Sequence, residues 1–93
     1  MNDEPSIHLS VVIPAYNEAD RIGPTLDQAG AGLAGWGRPV EIIVADDGST
    51  DGTAAVVERR REGFPVPLRL VRLERNRGKG AAVRAGVAES RGA

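Results

Sequence analysis

The sequence predicts an α/β fold with a parallel sheet and the element order βαβαβα. Three apolar runs rich in β-branched residues, IHLSVVIP, VEIIVA and LRLVRL, are typical of strands. The segments between them have helical spacing, and strands separated by helices of this length form parallel sheets with right-handed crossovers. Sequential connections of this kind place the strands in the order 3-2-1.

Helical spacing also defines the first and third helices. Over roughly 19–36 the apolar positions step by four and three, which lines one face toward the sheet with Ile22, Leu26, Ala29, Leu33 and Trp36. We expect Trp36 to cover the lower edge of the sheet. Over roughly 80–89 the third helix is expected to bury Val83 and Val87.

The second helix should begin near Asp51, with Ser49 or Thr50 as its N-cap, and end before Gly63. Its last turn carries three consecutive arginines, residues 59–61, which face the negative end of the helix dipole. That placement explains the arginines as a solvated helix end without a binding role.

Length and composition limit the chain to one soluble domain. Its 93 residues are 41% hydrophobic and 27% charged, as in ordinary globular proteins. The chain has no cysteine, which excludes disulfides and thiolate metal sites. No apolar run near the start is long enough for a signal or membrane span, so we expect a cytoplasmic location, with membrane association only through other parts of the protein.

The formal net charge of −1 hides an uneven distribution. Residues 69–93 hold 7 basic and 2 acidic side chains, whereas residues 1–68 hold 5 basic and 11 acidic ones. A basic end of this kind suits phosphate, nucleic acid or a lipid headgroup. Aromatic residues make up only 3% of the chain, so we expect no nucleic-acid partner.

Polar residues are segregated to one edge of the predicted sheet. The loops that follow the three strands read PAYNEAD, DDGSTDG and ERNRGKG, whereas the loops at the opposite edge, GWGRP and GFPVP, offer turn residues with few functional groups. In open parallel sheets, ligands bind at the carboxyl ends of the strands. Three loops rich in polar groups at that edge therefore indicate a binding site.

Three motif matches point elsewhere and are disfavoured by their context. Residues 47–58 fit the ligand spacing of a calcium-binding EF-hand loop, but the segment before them is a short β-branched run instead of a helix. GAGLAG matches a dinucleotide fingerprint but lies at the end of a helix, and RGKGAA lacks most of a phosphate-binding P-loop. A bare turn with a helix cap remains the simplest alternative for DDGSTD, but it leaves Asp46 and Asp47 unexplained.

The residue types at this edge suit a nucleoside diphosphate. Tyr16 leaves the first strand where its ring can meet a nucleobase. In RNRGKG, glycines let backbone amides approach an anion, while Lys79 with Arg75 or Arg77 adds positive charge. On the other side Glu18, Asp46 and Asp47 offer acceptors for base N–H and ribose hydroxyl groups, or for a metal.

Taken together, VVIPAYNEADRI, EIIVADDGSTDGT and NRGKGAAVRAG closely resemble the amino-terminal half of family 2 glycosyltransferases, particularly the dolichyl-phosphate mannose or glucose synthase branch. The resemblance covers nearly all of residues 9–92. It implies the nucleotide-binding half of a GT-A fold, a Rossmann-like sheet that binds a UDP- or GDP-sugar. It also implies a full-length enzyme that transfers a hexose to a lipid phosphate or another hydroxyl acceptor.

The resemblance assigns roles to particular positions. Pro14, Tyr16 and Glu18 match residues that line the base and ribose pocket, and Lys79 falls within the motif that flanks the nucleotide. Asp46 or Asp47 matches the aspartate that contacts the base, and we favour Asp46. The expected nucleotide-sugar-binding residues, with Arg75 added on the grounds of charge, are thus Pro14, Tyr16, Glu18, Asp46, Asp47, Arg75 and Lys79.

The sequence departs from the family in lacking the D-x-D metal motif. Mg²⁺ or Mn²⁺ is therefore expected in the full-length enzyme and not in residues 1–93 alone, and no catalytic residue is assigned to them. We expect these residues to be a truncated amino-terminal part that self-associates through an exposed strand edge. The alternative is a stand-alone nucleotide- or phosphate-binding module without catalysis.

Overall fold

A computed structural model describes residues 7–91 and shows a three-stranded parallel sheet with helices on both faces. The elements in chain order are β1 (Leu9–Ala15), α1 (Ala19–Ala34), β2 (Val40–Asp46), α2 (Thr53–Arg61), β3 (Leu68–Arg72) and α3 (Lys79–Glu89). The spatial order β1-β2-β3 confirms the predicted order 3-2-1 and the α/β class. Within the described residues β1 pairs with β2 alone, and self-association through the open edge of β1 stays a prediction.

The central strand β2 is buried along its whole length because helices cover both faces of the sheet. Alternate residues of β2, Val40, Ile42 and Val44, pack with Leu26 of α1 and Val57 of α2 in the hydrophobic core. Fully burying each side chain of this size contributes about 1.5–3 kcal/mol to the stability of the fold. The core thus lies between the sheet and the α1–α2 layer.

The other face of the sheet is covered by α3 at unusually short range. The buried residues of α3 are Ala82 and Gly86, whereas Val87 is 56% exposed and Val83 is half-buried. A Cβ atom at Gly86 would lie 2.5 Å from Val12 Cγ1, so only a small residue fits there. The predicted burial of Val83 and Val87 was therefore wrong for Val87, because hydrophobic periodicity selects large residues and this helix faces the sheet with small ones.

Helix α1 ends two residues earlier than predicted, at Ala34, and this changes the position of Trp36. The indole ring is 43% exposed and packs edge-on against the His8 ring, with 5.6 Å between the ring centroids. His8 directly precedes β1, so Trp36 lies at the lower edge of the sheet as expected, although its ring remains partly exposed. The glycines around it, Gly35 and Gly37, end the helix, and Gly37 adopts a φ of +83° that favours glycine.

Arg60 has a structural contact that the interpretation of residues 59–61 as a solvated helix end missed. Its Nε and Nη2 atoms donate to the two carboxylate oxygens of Asp27 in α1 at 3.0 and 3.1 Å. A Cβ atom at Gly23 would meet the Arg60 guanidinium at 2.7 Å, so the side chain lies across a glycine of α1. Arg60 therefore ties α2 to α1.

A buried glutamate anchors the carboxyl end of α3 to the sheet. Glu41 in β2 has no exposed surface and accepts hydrogen bonds from Ser10 Oγ at 2.6 Å, Arg69 Nη1 at 3.1 Å and the Arg91 N–H at 2.8 Å. Burial alone raises the pKa of Glu41, but the hydrogen bonds from Ser10, Arg91 and Arg69 outweigh it. Together they lower the pKa from 4.5 to about 2.

Replacing Gly86 with alanine should destabilise the protein although alanine is the better helix former. Alanine gains up to about 1 kcal/mol of helix propensity, but overpacking against Val12 costs about 1–3 kcal/mol. The matched control is Gly32→Ala in α1, where no atom lies within 4 Å of the added Cβ. Urea denaturation should show a lower unfolding free energy for Gly86→Ala and a higher one for Gly32→Ala; equal gains would contradict the close packing of α3.

Glu41 should make the stability of the fold depend on pH in the acid range. Because the folded chain holds the pKa near 2 and the unfolded chain near 4.5, the unfolded chain binds the proton first as pH falls. The contribution of Glu41, about 3 kcal/mol for a shift of this size, is complete above pH 4.5 and is lost as pH falls toward 2.

Unfolding free energies measured from pH 7 to pH 2.5 test this dependence. The Glu41→Gln variant should be less stable than the parent at pH 7, and the difference should shrink toward pH 2.5. Glu58→Gln, which removes a half-exposed surface carboxylate, is the control and should follow the parent. A constant difference between Glu41→Gln and the parent across this range would show that the titration of Glu41 is not linked to folding.

Candidate functional site at the carboxyl edge of the sheet

The loops after the three strands meet around a pocket of about 360 Å³ at the carboxyl edge of the sheet. One wall comes from the end of β1 and the loop after it, another from the residue after β2, and the third from the start of α3. The lining includes the side chains of Pro14, Tyr16, Glu18, Asp47, Asn76 and Lys79. The pocket thus combines an aromatic ring, two carboxylates and a cation.

Five of the seven expected site residues line this pocket, namely Pro14, Tyr16, Glu18, Asp47 and Lys79, whereas Asp46 and Arg75 do not. The structure adds Asn76 and Gly78 to the lining. Asn76 lies in the loop ERNRGKG between two arginines, and the sequence prediction rested on the positive charge of that loop. The polar amide group of Asn76 is the sequence feature that could have indicated its place in the pocket.

Asp47 is held by the loop before α3. Its Oδ1 accepts the Arg77 N–H at 2.7 Å, and its Oδ2 accepts the Gly78 N–H at 2.9 Å and the Asn76 Nδ2 group at 3.0 Å. The side chain is 3% exposed. The Gly78 amide, one of those expected to approach a phosphate, therefore donates to a carboxylate of the protein, and the neighbouring Arg77 amide does the same.

Asp46 points away from the pocket and stabilises the turn after β2. Its Oδ1 accepts hydrogen bonds from the Ser49 hydroxyl and from the Ser49 N–H, the latter at 3.3 Å. Its Oδ2 lies 3.3 Å from Arg72 Nε, within ion-pair distance, but it accepts no well-aligned hydrogen bond. The geometry therefore favours Asp47 over Asp46 as the aspartate of the pocket, the reverse of the preference drawn from the sequence.

Gly48 brings the loops after β2 and β3 into backbone contact. Its φ of +70° lies in the left-handed region, and a Cβ atom there would lie 2.5 Å from the Asn76 nitrogen and 2.6 Å from Arg75 Cα. Both the conformation and the space require glycine. Arg75 therefore contributes to the site through its backbone, which lies against Gly48.

Asn17 joins the loop after β1 to the loop after β2. It adopts a left-handed φ of 51°, its Oδ1 accepts the Thr50 N–H at 2.9 Å, and its own N–H donates to Ser49 Oγ at 2.9 Å. Asparagine tolerates this conformation better than most residues do. Asn17 therefore connects the loops after β1 and β2, which are more than 30 residues apart in sequence.

Asp51 serves the amino ends of two helices at once. Its Oδ1 accepts the Thr53 N–H at 2.9 Å at the start of α2, and its Oδ2 accepts the Ala19 N–H at 3.2 Å at the start of α1. Helix α2 begins at Thr53, so the predicted N-cap at Ser49 or Thr50 was wrong. Hydrogen bonds from Thr53 and Ala19 lower the pKa of Asp51, consistent with a carboxylate at helix amino ends.

The carboxylates near the pocket do not form a metal site. Asp47 accepts three N–H donors, and Glu18 Oε2 lies 2.7 Å from Arg21 Nε. Across residues 7–91, no group of three or more His, Cys, Asp or Glu side chains could hold a metal ion. The calcium-loop interpretation fails as well, because the segment before the loop is the strand β2.

The fold and the pocket define an α/β protein with a polar site at the carboxyl edge of a parallel sheet. Residues 10–93 match the family model described as Glycosyl transferase family 2. The chain belongs to this family, and the resemblance found in its three loops is confirmed.

Curated relatives are similar to nearly the whole chain. It is 44% identical over 93 residues to a dolichyl-phosphate beta-glucosyltransferase of Dictyostelium discoideum, with 94% of the chain and 28% of the relative covered. It is 39% identical over 89 residues to the dodecaprenyl-phosphate galacturonate synthase of Rhizobium johnstonii, with 94% of the chain and 26% of the relative covered. The chain thus spans about a quarter of the length of these relatives.

Solved structures have the same fold. The mannosyltransferase PcManGT from Pyrobaculum calidifontis, in complex with GDP-Man and Mn²⁺, is 30% identical with a TM-score of 0.70 over 89% of the chain and 24% of the neighbour. The S. aureus TarS 1-349 structure in complex with UDP is 30% identical with a TM-score of 0.73 over 92% of the chain and 25% of the neighbour. These neighbours confirm the expected GT-A fold class.

Among the helices between residues 7 and 91, none is both long enough and apolar enough to cross a membrane.

Replacing Gly48 with alanine should separate the loops that form the pocket. The left-handed backbone conformation alone costs a non-glycine residue about 1–3 kcal/mol, and the clash with the backbone of residues 75 and 76 adds to this cost. The control is Gly52→Ala, at a φ of −85° with no atom within 4 Å of the new Cβ. Urea denaturation should show a large loss of stability for Gly48→Ala and little change for Gly52→Ala; similar values would argue against the backbone contact.

Proposed function

We propose that residues 1–93 form the donor-binding part of a glycosyltransferase, which transfers a hexose from a UDP- or GDP-linked sugar to a polyprenyl phosphate or another hydroxyl acceptor. The observation that carries this proposal is the pocket, in which Tyr16, Glu18 and Lys79 surround one cavity at the carboxyl edge. The family membership and the nucleotide-bound neighbours support it.

The size and chemistry of the pocket suit part of a nucleotide sugar. Its volume of about 360 Å³ is at the lower end of the range for small-molecule sites. Tyr16 is 44% exposed, so its ring is available to stack on a base. Lys79 opens α3, where its charge and the positive end of the helix dipole both favour an anion such as the diphosphate.

In the proposed reaction an acceptor oxygen forms a bond to the anomeric carbon of the sugar, and the bond from that carbon to the diphosphate breaks. The nucleoside diphosphate leaves with the electron pair of the broken bond. Lys79 would stabilise the negative charge that develops on it. Tyr16, Glu18 and Pro14 would orient the nucleoside. A phosphate acceptor is already negatively charged, and we place the base that a hydroxyl acceptor needs outside residues 1–93.

A divalent cation is implied by the family resemblance, and a solved relative contains Mn²⁺ with GDP-Man. The carboxylates of the described pocket do not fit such an ion, because their oxygens face N–H donors and an arginine. We therefore place the metal ligands, like the acceptor site, in segments other than residues 7–91.

Removing the Tyr16 ring tests the nucleotide site directly. Loss of a stacking side chain costs about 1–3 kcal/mol, so Tyr16→Ala in the whole protein should weaken UDP or GDP binding roughly 5- to 150-fold. Trp36→Ala is a matched control, since that residue is equally exposed, at 43% against 44%, but lies beside His8 at the opposite edge of the sheet. Isothermal titration calorimetry would measure both affinities.

A transfer assay with labelled sugar and a polyprenyl phosphate completes the test. Nucleotide binding that is weakened by Tyr16→Ala and unchanged by Trp36→Ala, together with sugar transfer, supports the proposal. Binding without transfer would favour the alternative of a nucleotide-binding module without catalysis. Equal effects of the two substitutions would remove Tyr16 from the site.

A further inference from the structure

Glu41 is a fully buried carboxylate at the start of β2, at the opposite edge of the sheet from the pocket. Burying a charge without partners costs a large free energy, so such a group is tolerated only where several donors satisfy it. The donors to Glu41 come from β1, from β3 and from the chain beyond α3. Glu41 therefore connects three separate parts of the chain.

These donors hold the chain at the point where it leaves α3. The Arg91 N–H donates to Glu41 Oε2 at 2.8 Å and to Ser10 Oγ at 3.2 Å, and Arg91 Nη2 lies 3.2 Å from Glu41 Oε1. Arg69 Nη1 donates both to Glu41 Oε1 at 3.1 Å and to the Glu89 carbonyl at 2.7 Å. One carboxylate thus fixes, directly or through Arg69, the last residue of α3 and the backbone two residues beyond it.

The face of the sheet that α3 covers determines where the chain goes next. Connections between parallel strands are right-handed. Helices α1 and α2 cover one face of the sheet as the strands progress from β1 to β3, whereas α3 covers the other face. A right-handed connection through α3 therefore leads back toward β1, to the edge that carries no further strand within residues 7–91.

The end of the described chain already lies where such a strand would begin. Ser90 is extended, with a φ of −72° and a ψ of 149°, and Arg91 contacts Ser10 near the start of β1. Strands that run parallel begin at one edge of a sheet and end at the other. The carboxyl end of a strand beside β1 would therefore lie next to the loops of the pocket.

The starting point of a strand controls which of its side chains reach that edge. Successive side chains point to opposite faces of a sheet, so a shift of one residue moves every side chain to the other face. The hydrogen bonds of the Arg91 N–H to Ser10 and Glu41 determine where the added strand starts. A loosened contact at this end would misplace groups at the opposite end, beside the pocket.

We propose that Glu41 is a positioning residue, which fixes the chain at Arg91 and thereby aligns the segment after α3 with the open edge of β1. This inference rests on the proposed function, in which segments outside residues 1–93 carry the acceptor site. The chain covers 26% and 28% of two relatives, which leaves most of their length for such segments. Glu41 then influences sugar transfer without touching the nucleotide.

Sugar transfer and nucleotide binding, both measured on the whole protein, test this role. Glu41→Gln keeps the size of the side chain but replaces one acceptor oxygen with an N–H group that faces the donors of Arg69 and Arg91. Small displacements of reacting groups cost up to about 100-fold in rate, so kcat per folded molecule should fall about 10- to 100-fold. The affinity for UDP or GDP in calorimetric titrations should stay that of the parent, because the pocket keeps its residues.

Two further variants separate alignment from a general loss of stability. Arg69→Gln removes one donor and leaves Glu41 in place, so it should lower kcat less, and it carries the test if Glu41→Gln does not fold. Because both residues act through one contact, the double variant should lose less than the product of the two single losses. The control is Val57→Ala, which leaves a cavity on the other face of the sheet and should keep the kcat of the parent per folded molecule.

Amide hydrogen exchange provides a readout without any substrate. The Arg91 amide should exchange faster in Glu41→Gln, while the Arg77 and Gly78 amides beside the pocket keep their protection. Unchanged exchange at Arg91 would overturn the inference, as would a kcat that Glu41→Gln leaves intact or that Val57→Ala lowers equally. Nucleotide affinity that falls in step with kcat would also overturn it and leave the proposed function standing. An unsubstituted protein that binds no UDP or GDP, or transfers no sugar, would overturn both.

Discussion

The backbone contact at Gly48, between the loops after β2 and β3, is the constraint on which the pocket depends. A side chain at this position would collide with residues 75 and 76, so the two loops can meet only at a glycine. The aspartates before it point in different directions, Asp46 toward Ser49 and Asp47 toward the start of α3. The Gly48 contact and the Asp47 carboxylate therefore join the two loops, and Asp46 stabilises the turn after β2.

Helix α3 is held at both ends by carboxylates of the central strand region. Asp47 binds the segment before its first turn, and Glu41 binds the Arg91 N–H beyond its last turn. Between these contacts Gly86 allows the helix to lie directly on Val12 and Ala45 of the sheet. The helix that carries Lys79 is thus fixed along its axis by polar contacts and toward the sheet by close packing.

The fold could be predicted from the sequence because its signals are local. Strand and helix periods each span a few residues, and right-handed connections then determine the strand order. The buried face of α3 could not be predicted in the same way, because small residues give no hydrophobic period. Its contact with Val12 depends on the distance between helix and sheet, which no local pattern reports.

The location of the candidate site could be predicted from the sequence, but the hydrogen bonds of its side chains could not. Three polar loops at the carboxyl edge indicated where the pocket lies, since parallel strands end at a common edge. The direction in which Asp47 points depends on hydrogen bonds from residues about 30 positions away, such as that from Gly78. For that reason Asp46 was favoured from the sequence although Asp47 lines the cavity.

These contacts also explain why the motifs PAYNE and DDGSTDGT occur together. Asn17 accepts the Thr50 N–H, the Glu18 N–H donates to Thr53 Oγ1, and the Ala19 N–H donates to Asp51. The side chains of Asn17, Asp51 and Thr53 therefore join the two loops. A polar-rich loop can thus indicate a binding site because some of its side chains build the walls of that site while others face into it.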